Sequence, residues 1–328
     1  MPASVTHYVF AEYVLGKLKK DGAAVADRDA ALIGAQGPDI FFFHRVMPWQ
    51  PGVSYAREGT RMHHTSPARL FELFRTVLNT QQRDRERVQS YIEGFFCHYA
   101  LDRTAHPYVF WFQEELAKQR PRYGRAGHTY HFHIESALDS LMLRRDTGRR
   151  VEDFPLQTIL PRDDGSLYLS IGRLYAPMFR RLWGISAGPE RLALAPGDMR
   201  RVLFWLTDRS AVKQTMLRPL EWISGQGHFA TSLFRPLDVS DWDYANEERR
   251  EWRNPFDTAY VSRDSFYDLY ELAAEEAADM IREFRQALPR GKSMLEITQD
   301  RGFSSDLPGI YASYKGRTEE NSETDRQL

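Results

Sequence analysis

The 328-residue sequence contains a single cysteine, Cys97, and this scarcity excludes two classes of protein. A disulfide framework needs pairs of cysteines, and cysteine-rich zinc modules need several thiolate ligands. Any metal site in this chain must therefore be built from His, Asp and Glu side chains.

An excess of charge and a long apolar run are also missing. The 44 Lys and Arg residues offset 45 Asp and Glu residues, so no global field would draw nucleic acid or an anionic membrane. The N-terminus lacks the basic and apolar regions of a signal peptide, and no stretch approaches the length of a transmembrane helix. These absences predict a soluble cytoplasmic protein without an integral membrane segment, in which any anionic substrate is bound locally.

Convincing period-2 alternation is absent, whereas apolar residues recur at helical spacing, for example in residues 5–18 and 265–288. The sequence therefore predicts an all-α fold. We expect a metal-binding catalytic region over residues 1–150 and a helical region over 151–312 that packs on it in one compact domain. A flexible polar tail is expected over residues 313–328.

The histidines are concentrated in the first part of the chain, with nine of the ten between His7 and His133. In residues 94–107, read as a helix, His98, Asp102 and His106 follow one another at intervals of four, so each lies only about 40° further round than the last. Two small residues on the same face would leave room for an ion and its water: Gly94 and Ala105. A proline at position 107 is predicted to end this helix just after the last ligand.

Further ligand-type side chains occur in four other segments. His131 and Glu135 share a helix face, and Asp39 follows a Gly-Pro turn. The remaining candidates are His7 and either His63 or His64, since adjacent histidines cannot both point the same way. This set is too large for one tetrahedral ion and suits two or three. Zinc fits such ligands, although iron, manganese or nickel could use them.

Together these motifs resemble the zinc-dependent phospholipases C of bacteria. The resemblance is carried by His7-Tyr8-x-Phe10, Gly37-Pro38-Asp39, Met62-His63, Gly94-Phe95, His98-x3-Asp102-x3-His106-Pro107 and His131-x3-Glu135. The chain looks closest to the cytoplasmic branch, whose members begin near an early His and carry a stretch like Asn246-x4-Glu251-Trp252-Arg253-Asn254-Pro255. The resemblance is expected to extend to about residue 285.

The resemblance implies a phospholipase C/single-strand nuclease-like helical fold around a cleft that holds up to three zinc ions. It assigns one ion to Asp39, His63, His98 and Asp102, a second to His106, His131 and Glu135, and a third to His7 and the bridging Asp102. It also implies that Asp39 acts as the base toward the attacking water. In secreted members the processed N-terminal residue completes the third site; here the sequence leaves open what accompanies His7.

The leading hypothesis is a zinc-dependent phosphodiesterase that acts on a phospholipid head group or a related small phosphodiester. One alternative is a single-strand nuclease, which the neutral charge and the lack of a basic stripe disfavour. Another is a non-catalytic scaffold whose ions only hold helices together. The other histidines are predicted to be ordinary surface or core residues: His44, His128, His133 and His228. Aromatic clusters at 41–43 and 108–112 are predicted to be core, with an apolar substrate cleft as the alternative.

Overall fold

The computed structural model describes residues 3–47, 49–80, 83–119, 127–224 and 228–306 of the chain. Helices dominate these residues, and the predicted all-α class is confirmed. The helices are α1 (Ser4–Lys20), α2 (Arg28–Gly34), α3 (Ala56–His63), α4 (Pro67–Thr80), α5 (Arg85–Gln119), α6 (Gly127–Thr147), α7 (Leu167–Trp183), α8 (Pro189–Leu192), α9 (Leu194–Leu206), α10 (Val212–Ser224), α11 (Phe266–Arg290) and α12 (Met294–Thr298). The predicted tail at 313–328 lies outside the described residues.

A small antiparallel hairpin interrupts the helical pattern between α10 and α11. Its strands are β1 (Trp252–Asn254) and β2 (Asp257–Ser262), with Arg253 opposite Val261. Trp252 is buried and its ring nitrogen donates to the carbonyl of Asp264, which ties the hairpin to the entrance of α11. None of the described helices has both the length and the apolarity needed to cross a membrane.

The long helix α5 lies at the centre of the core, with α1, α2, α6 and α11 packed around it. Its contact with α2 depends on two glycines, because a Cβ on Gly94 would overlap the backbone of Ala31 and a Cβ on Gly34 would overlap that of Tyr91. The prediction that Gly94 leaves room for an ion is therefore wrong. This glycine lets two helix backbones approach closely.

The predicted end of the helix at Pro107 is also wrong, since α5 continues to Gln119. A proline removes one backbone donor and disfavours the helical conformation of its predecessor. Here Ala105, Tyr108 and Phe112 are all buried on the two sides of the proline, and burial of this apolar face outweighs the local cost. His106 consequently lies within a packed helix and not at a helix end.

Helix α11 begins where the sequence indicates, with Ser265 as N-cap and a capping box completed by Asp268. It is joined to α5 by apolar packing and by an ion pair with a buried carboxylate: Arg285 donates to both carboxylate oxygens of Glu93 at 2.8 and 2.7 Å. The core against which these helices pack includes buried side chains from Val5 to Phe303.

Candidate metal centre

The eight predicted ligand side chains meet at one place in the helical core. They come from five segments: α1, a 3₁₀ turn (Gly37–Phe41), the last residue of α3, the middle of α5, and the first turns of α6. The side chains are His7, Asp39, His63, His98, Asp102, His106, His131 and Glu135.

The carboxylate of Asp102 lies at the centre of the cluster. Its Oδ1 is 3.1 Å from Nε2 of His7 and 3.7 Å from Nε2 of His106. Its Oδ2 is 3.1 Å from Nε2 of His98 and 3.8 Å from Nε2 of His63. One carboxylate therefore faces four imidazoles, a geometry suited to a carboxylate shared between neighbouring ions.

A second carboxylate, that of Glu135, lies at one end of the cluster. Oε1 of Glu135 is 3.5 Å from Nε2 of His106 and 3.3 Å from Nε2 of His131. On the far side, Oδ1 of Asp39 is 3.3 Å from Nε2 of His63. His63, and not the neighbouring His64, is thus the member of the pair that faces the other ligand-type groups.

Three groups of side chains have ligand atoms within 4.8 Å of one another, close enough to share an ion. They are His63, His98 and Asp102; His106, His131 and Glu135; and His7, Asp39 and His98. The first two correspond to the two ion sites that the sequence resemblance implies. The third group brings His7 together with Asp39 and His98, whereas the resemblance implied only His7 and Asp102 for that ion.

Several polar atoms in the cluster are buried without a hydrogen-bond partner among the described residues. They are Nδ1 of His7, Oδ1 of Asp39 and both ring nitrogens of His98. Unpartnered buried polar atoms are rare because each costs about 1–3 kcal/mol. A divalent ion would give Asp39 and His98 the partner that the described residues do not supply, so the donor set fits zinc.

A cavity of about 20 Å³ lies beside Asp102 and Glu135. Its polar lining comes from His7, Asp102, His106 and Glu135, with Thr6 beside them. This volume corresponds to about one water-sized sphere. The cavity that these two carboxylates line can therefore hold an ion or a water molecule.

The three partly exposed histidines are oriented by hydrogen bonds at Nδ1. Acceptors are Gly59 O for His63 at 2.9 Å, Phe303 O for His106 at 3.0 Å, and Gln113 Oε1 for His131 at 3.2 Å. In a neutral ring, donation from Nδ1 leaves Nε2 unprotonated, which is the form that binds a metal. All three acceptors were missed in the sequence; Gln113 and Phe303 are distant along the chain from the histidines they orient, whereas Gly59 lies four residues before His63 in α3.

The Gly-Pro turn before Asp39 has a specific role in the cluster. Gly37 has φ +54°, and a Cβ there would overlap the ring of His98. Glycine therefore satisfies both the left-handed backbone and the close approach to an imidazole. The next residues place Asp39 at 3% exposure beside His63.

The carboxylates of Asp102 and Glu135 are held in their ionised form. Burial alone would raise the pKa of Asp102, but His106 and His98 bring it well below the ordinary value. Burial would likewise raise the pKa of Glu135, and His131 is foremost among the imidazoles that lower it well below normal. Both groups are thus charged at neutral pH, as metal ligands must be.

The pKa values of the two buried imidazoles His98 and His106 shift in opposite directions. Burial lowers the pKa of His98 despite the opposing charge of Asp102. Burial also acts to lower the pKa of His106, but Asp102 and the nearby glutamate raise it to about 9. Burial acts to raise the pKa of Asp39, but the positive charge of the N-terminal amine and of the nearby imidazoles lowers it on balance.

A buried ion pair holds the helix that carries His7. Asp139 lies one turn beyond Glu135, and its Oδ1 accepts from the backbone N–H and the hydroxyl of Thr6 at 2.7 and 2.8 Å. Arg235 donates to Oδ2 of Asp139 at 2.9 Å and to the hydroxyl of Ser4 at 2.6 Å. A carboxylate at a helix N-terminus is favourable, and here it fixes the first turn of α1.

Aromatic side chains surround the exposed end of the cluster. Phe110 is half-buried, with its ring 4.9 Å from that of His131 and 5.3 Å from that of Phe256. Phe132, also half-buried, packs against Phe229 at 5.8 Å. Most of the 108–112 cluster is core as predicted, but Phe110 and its neighbours form an apolar border beside the metal-ligand side chains.

Two histidines outside the cluster have structural partners. His44 is fully buried; its Nε2 pairs with Arg191 O at 2.9 Å, and its Nδ1 accepts from the backbone N–H of Tyr55 at 3.0 Å. Nε2 of His133 is 2.8 Å from the hydroxyl of Tyr244. The side chain of His128 lies outside the described residues.

One comparison with known proteins identifies a family. The profile of a family described as zinc dependent phospholipase C matches residues 6–182, a segment that contains all eight predicted ligands. The match ends well before residue 285 and does not separate a cytoplasmic branch from the rest of the family. No curated protein and no solved structure matches the chain.

Proposed function

The chain belongs to the zinc-dependent phospholipase C family, and from this premise we propose that it is a metal-dependent phosphoric diester hydrolase. Its proposed substrate is a phospholipid head group or a related small phosphodiester. The observation that carries this proposal is the convergence of eight ligand-type side chains in one cluster, in which four imidazoles face Asp102. Buried atoms of Asp39 and His98 have no hydrogen-bond partner among the described residues.

We propose two zinc sites that share the Asp102 carboxylate or lie beside it. One would be held by His63, His98, Asp102 and Asp39, and the other by His106, His131 and Glu135. A third ion would use His7 in the space that this side chain lines. Clustered divalent ions supply Lewis-acid chemistry, neutralising charge on the phosphodiester and acidifying water.

The chain's own residues would orient the substrate and handle the proton. Asp39 is ionised and has Oδ1 directed into the cluster, so it can accept a proton from an attacking water. Hydrogen bonds from Nδ1 hold His63 and His106 with Nε2 toward the carboxylates. The apolar border around Phe110 would contact the acyl or other apolar part of the substrate.

The proposal is tested by elemental analysis combined with assays on a panel of diesters. We expect two or three zinc ions per chain and release of a phosphorylated head group from a phospholipid. The variant His131→Gln should lower turnover at least about 100-fold by removing a ligand, whereas the matched variant His228→Gln should retain it.

Two outcomes would contradict the proposal. Release of nucleotides from single-stranded DNA without action on phospholipid would identify a nuclease. Tightly bound metal with no turnover of any diester would identify a scaffold with closed ion sites.

A further inference from the structure

An exposed apolar stripe runs along α10, outside the segment that the family profile matches. Val212, Met216, Leu220 and Ile223 lie on one face of this helix, and each exposes more than half of its side-chain surface, up to 74% for Ile223. Large apolar side chains that line up on one face of a helix usually mark an interaction surface.

Helix α10 contributes little to the core. Of its described side chains only Glu221 is buried, and Glu221 accepts from the backbone N–H groups of Ala230 and Thr231. A helix of 13 residues is marginal in water without a packed face. The apolar stripe therefore calls for a partner that the rest of the described chain does not provide.

The end of α9 extends the same apolar surface. Phe204 and Trp205 are both more than half exposed. Lys213, in the first turn of α10, donates to the carbonyls of Trp205 and Thr207 at 2.9 and 2.7 Å. This bridge keeps the aromatic pair beside the start of the α10 stripe.

The exposed charged side chains of α10 and of the end of α9 are all basic. Between residues 204 and 224, the exposed charged side chains of the described residues are Arg209, Lys213 and Arg218. Of the two acidic residues there, Glu221 is buried, and Asp208 accepts from backbone N–H groups before and within α10. The surface thus combines apolar and aromatic side chains with a basic border.

We propose that α10 and the end of α9 form the surface by which this protein binds an anionic lipid membrane. Apolar side chains with Lys and Arg beside them are the composition of helices that lie in a membrane interface. A second copy of the chain fits less well, because a symmetric contact would bring the like charges of Arg209 and Arg218 together.

The surface is also connected to the candidate metal centre. Thr231, which α10 holds through Glu221, is followed by Ser232, whose carbonyl accepts from the hydroxyl of Ser136 at 2.8 Å. Ser136 follows Glu135 in α6. The inference rests on the proposed function, and it specifies the substrate as a lipid that remains within an assembled surface.

The test is sedimentation of the metal-loaded, full-length protein with vesicles of phosphatidylglycerol or of phosphatidylcholine. We expect binding to the anionic vesicles that weakens with added salt. The double variant Leu220→Asp, Ile223→Asp should lower partition to these vesicles at least about tenfold. The control Leu272→Asp, Leu295→Asp changes two similarly exposed leucines elsewhere and should bind as the unmodified chain does.

Lack of vesicle binding, or equal binding by the α10 variant and the control, would overturn the inference. A dimer that the α10 variant alone dissociates would also overturn it, since the surface would then join two copies. Hydrolysis of a water-soluble diester without vesicle binding would refute this inference and leave the proposed function intact. Specific binding to anionic vesicles without any hydrolysis would support the surface and refute the proposed function.

Discussion

Replacing Arg235 by Met should destabilise the protein strongly, because it breaks a fully buried ion pair. The side chains of Arg235 and Asp139 are 2% and 0% exposed, and the guanidinium also donates to Leu233 O at 3.0 Å. Methionine keeps much of the apolar stem but leaves a buried carboxylate whose charge is no longer paired with the guanidinium. Breaking one side of such a pair costs about 3–5 kcal/mol.

The assay is urea unfolding of the metal-free chain at pH 7, followed by tryptophan fluorescence. The control is Arg282→Met, which removes a partly exposed pair with Asp21 and should cost at most about 1 kcal/mol. The double variant Arg235→Met, Asp139→Asn should recover part of the loss, since it removes the uncompensated charge.

The defect of Arg235→Met should also depend on pH. Burial already raises the pKa of Asp139, and Arg235 opposes that rise, so the variant's folded-state pKa should be higher still. A carboxyl whose pKa is raised on folding loses stability as the pH increases from its unfolded pKa to its folded pKa. The variant should therefore be less impaired at pH 4 than at pH 7. A loss at pH 7 no larger than that of Arg282→Met would refute this reasoning.

Three further predictions concern the metal centre. Asp102→Asn should remove most of the bound zinc, because the amide cannot replace a charge that faces four imidazoles. Elemental analysis measures the zinc content, and a full content would contradict the assignment of Asp102 as a shared carboxylate. Zinc binding at pH 7 should release a proton from His106, whose pKa in the metal-free chain is about 9. Titration calorimetry in two buffers of different ionisation enthalpy should then give different heats of zinc binding. Identical heats would contradict the release of a proton. Gly37→Ala should weaken zinc binding about 10–100-fold, since alanine is strained at φ +54° and its Cβ would overlap and displace the ring of His98. Gly16→Ala, where the Cβ enters open space, is the control and should bind zinc normally.

The sequence was most informative where function depends on local spacing. Ligand-type residues four positions apart on a helix must share a face, so the positions of His98, Asp102 and His106 followed from helix geometry alone. The apolar spacing of residues 265–288 was equally readable as a helix, and α11 spans Phe266–Arg290. Neither inference needs knowledge of distant contacts.

The errors and omissions arose where distant contacts decide the structure. Pro107 lies inside α5 because packing on both sides outweighs its local preference, and Gly94 contacts α2 instead of an ion. The carbonyl of Phe303 reaches His106 across almost 200 residues of sequence, and nothing near either residue signals that contact. Asp139 lies one turn beyond Glu135, but its partner Arg235 could not be identified from spacing.

Anomalous diffraction at the zinc absorption edge, from crystals of the zinc-loaded chain, tests the central claim most directly. The account predicts two or three peaks around Asp102, each at about 2.0–2.2 Å from the nitrogen and oxygen ligands proposed here. One of them should lie between His106, His131 and Glu135. A single peak, or peaks that leave Asp102 without a metal, would contradict the claim that these side chains build one multinuclear centre.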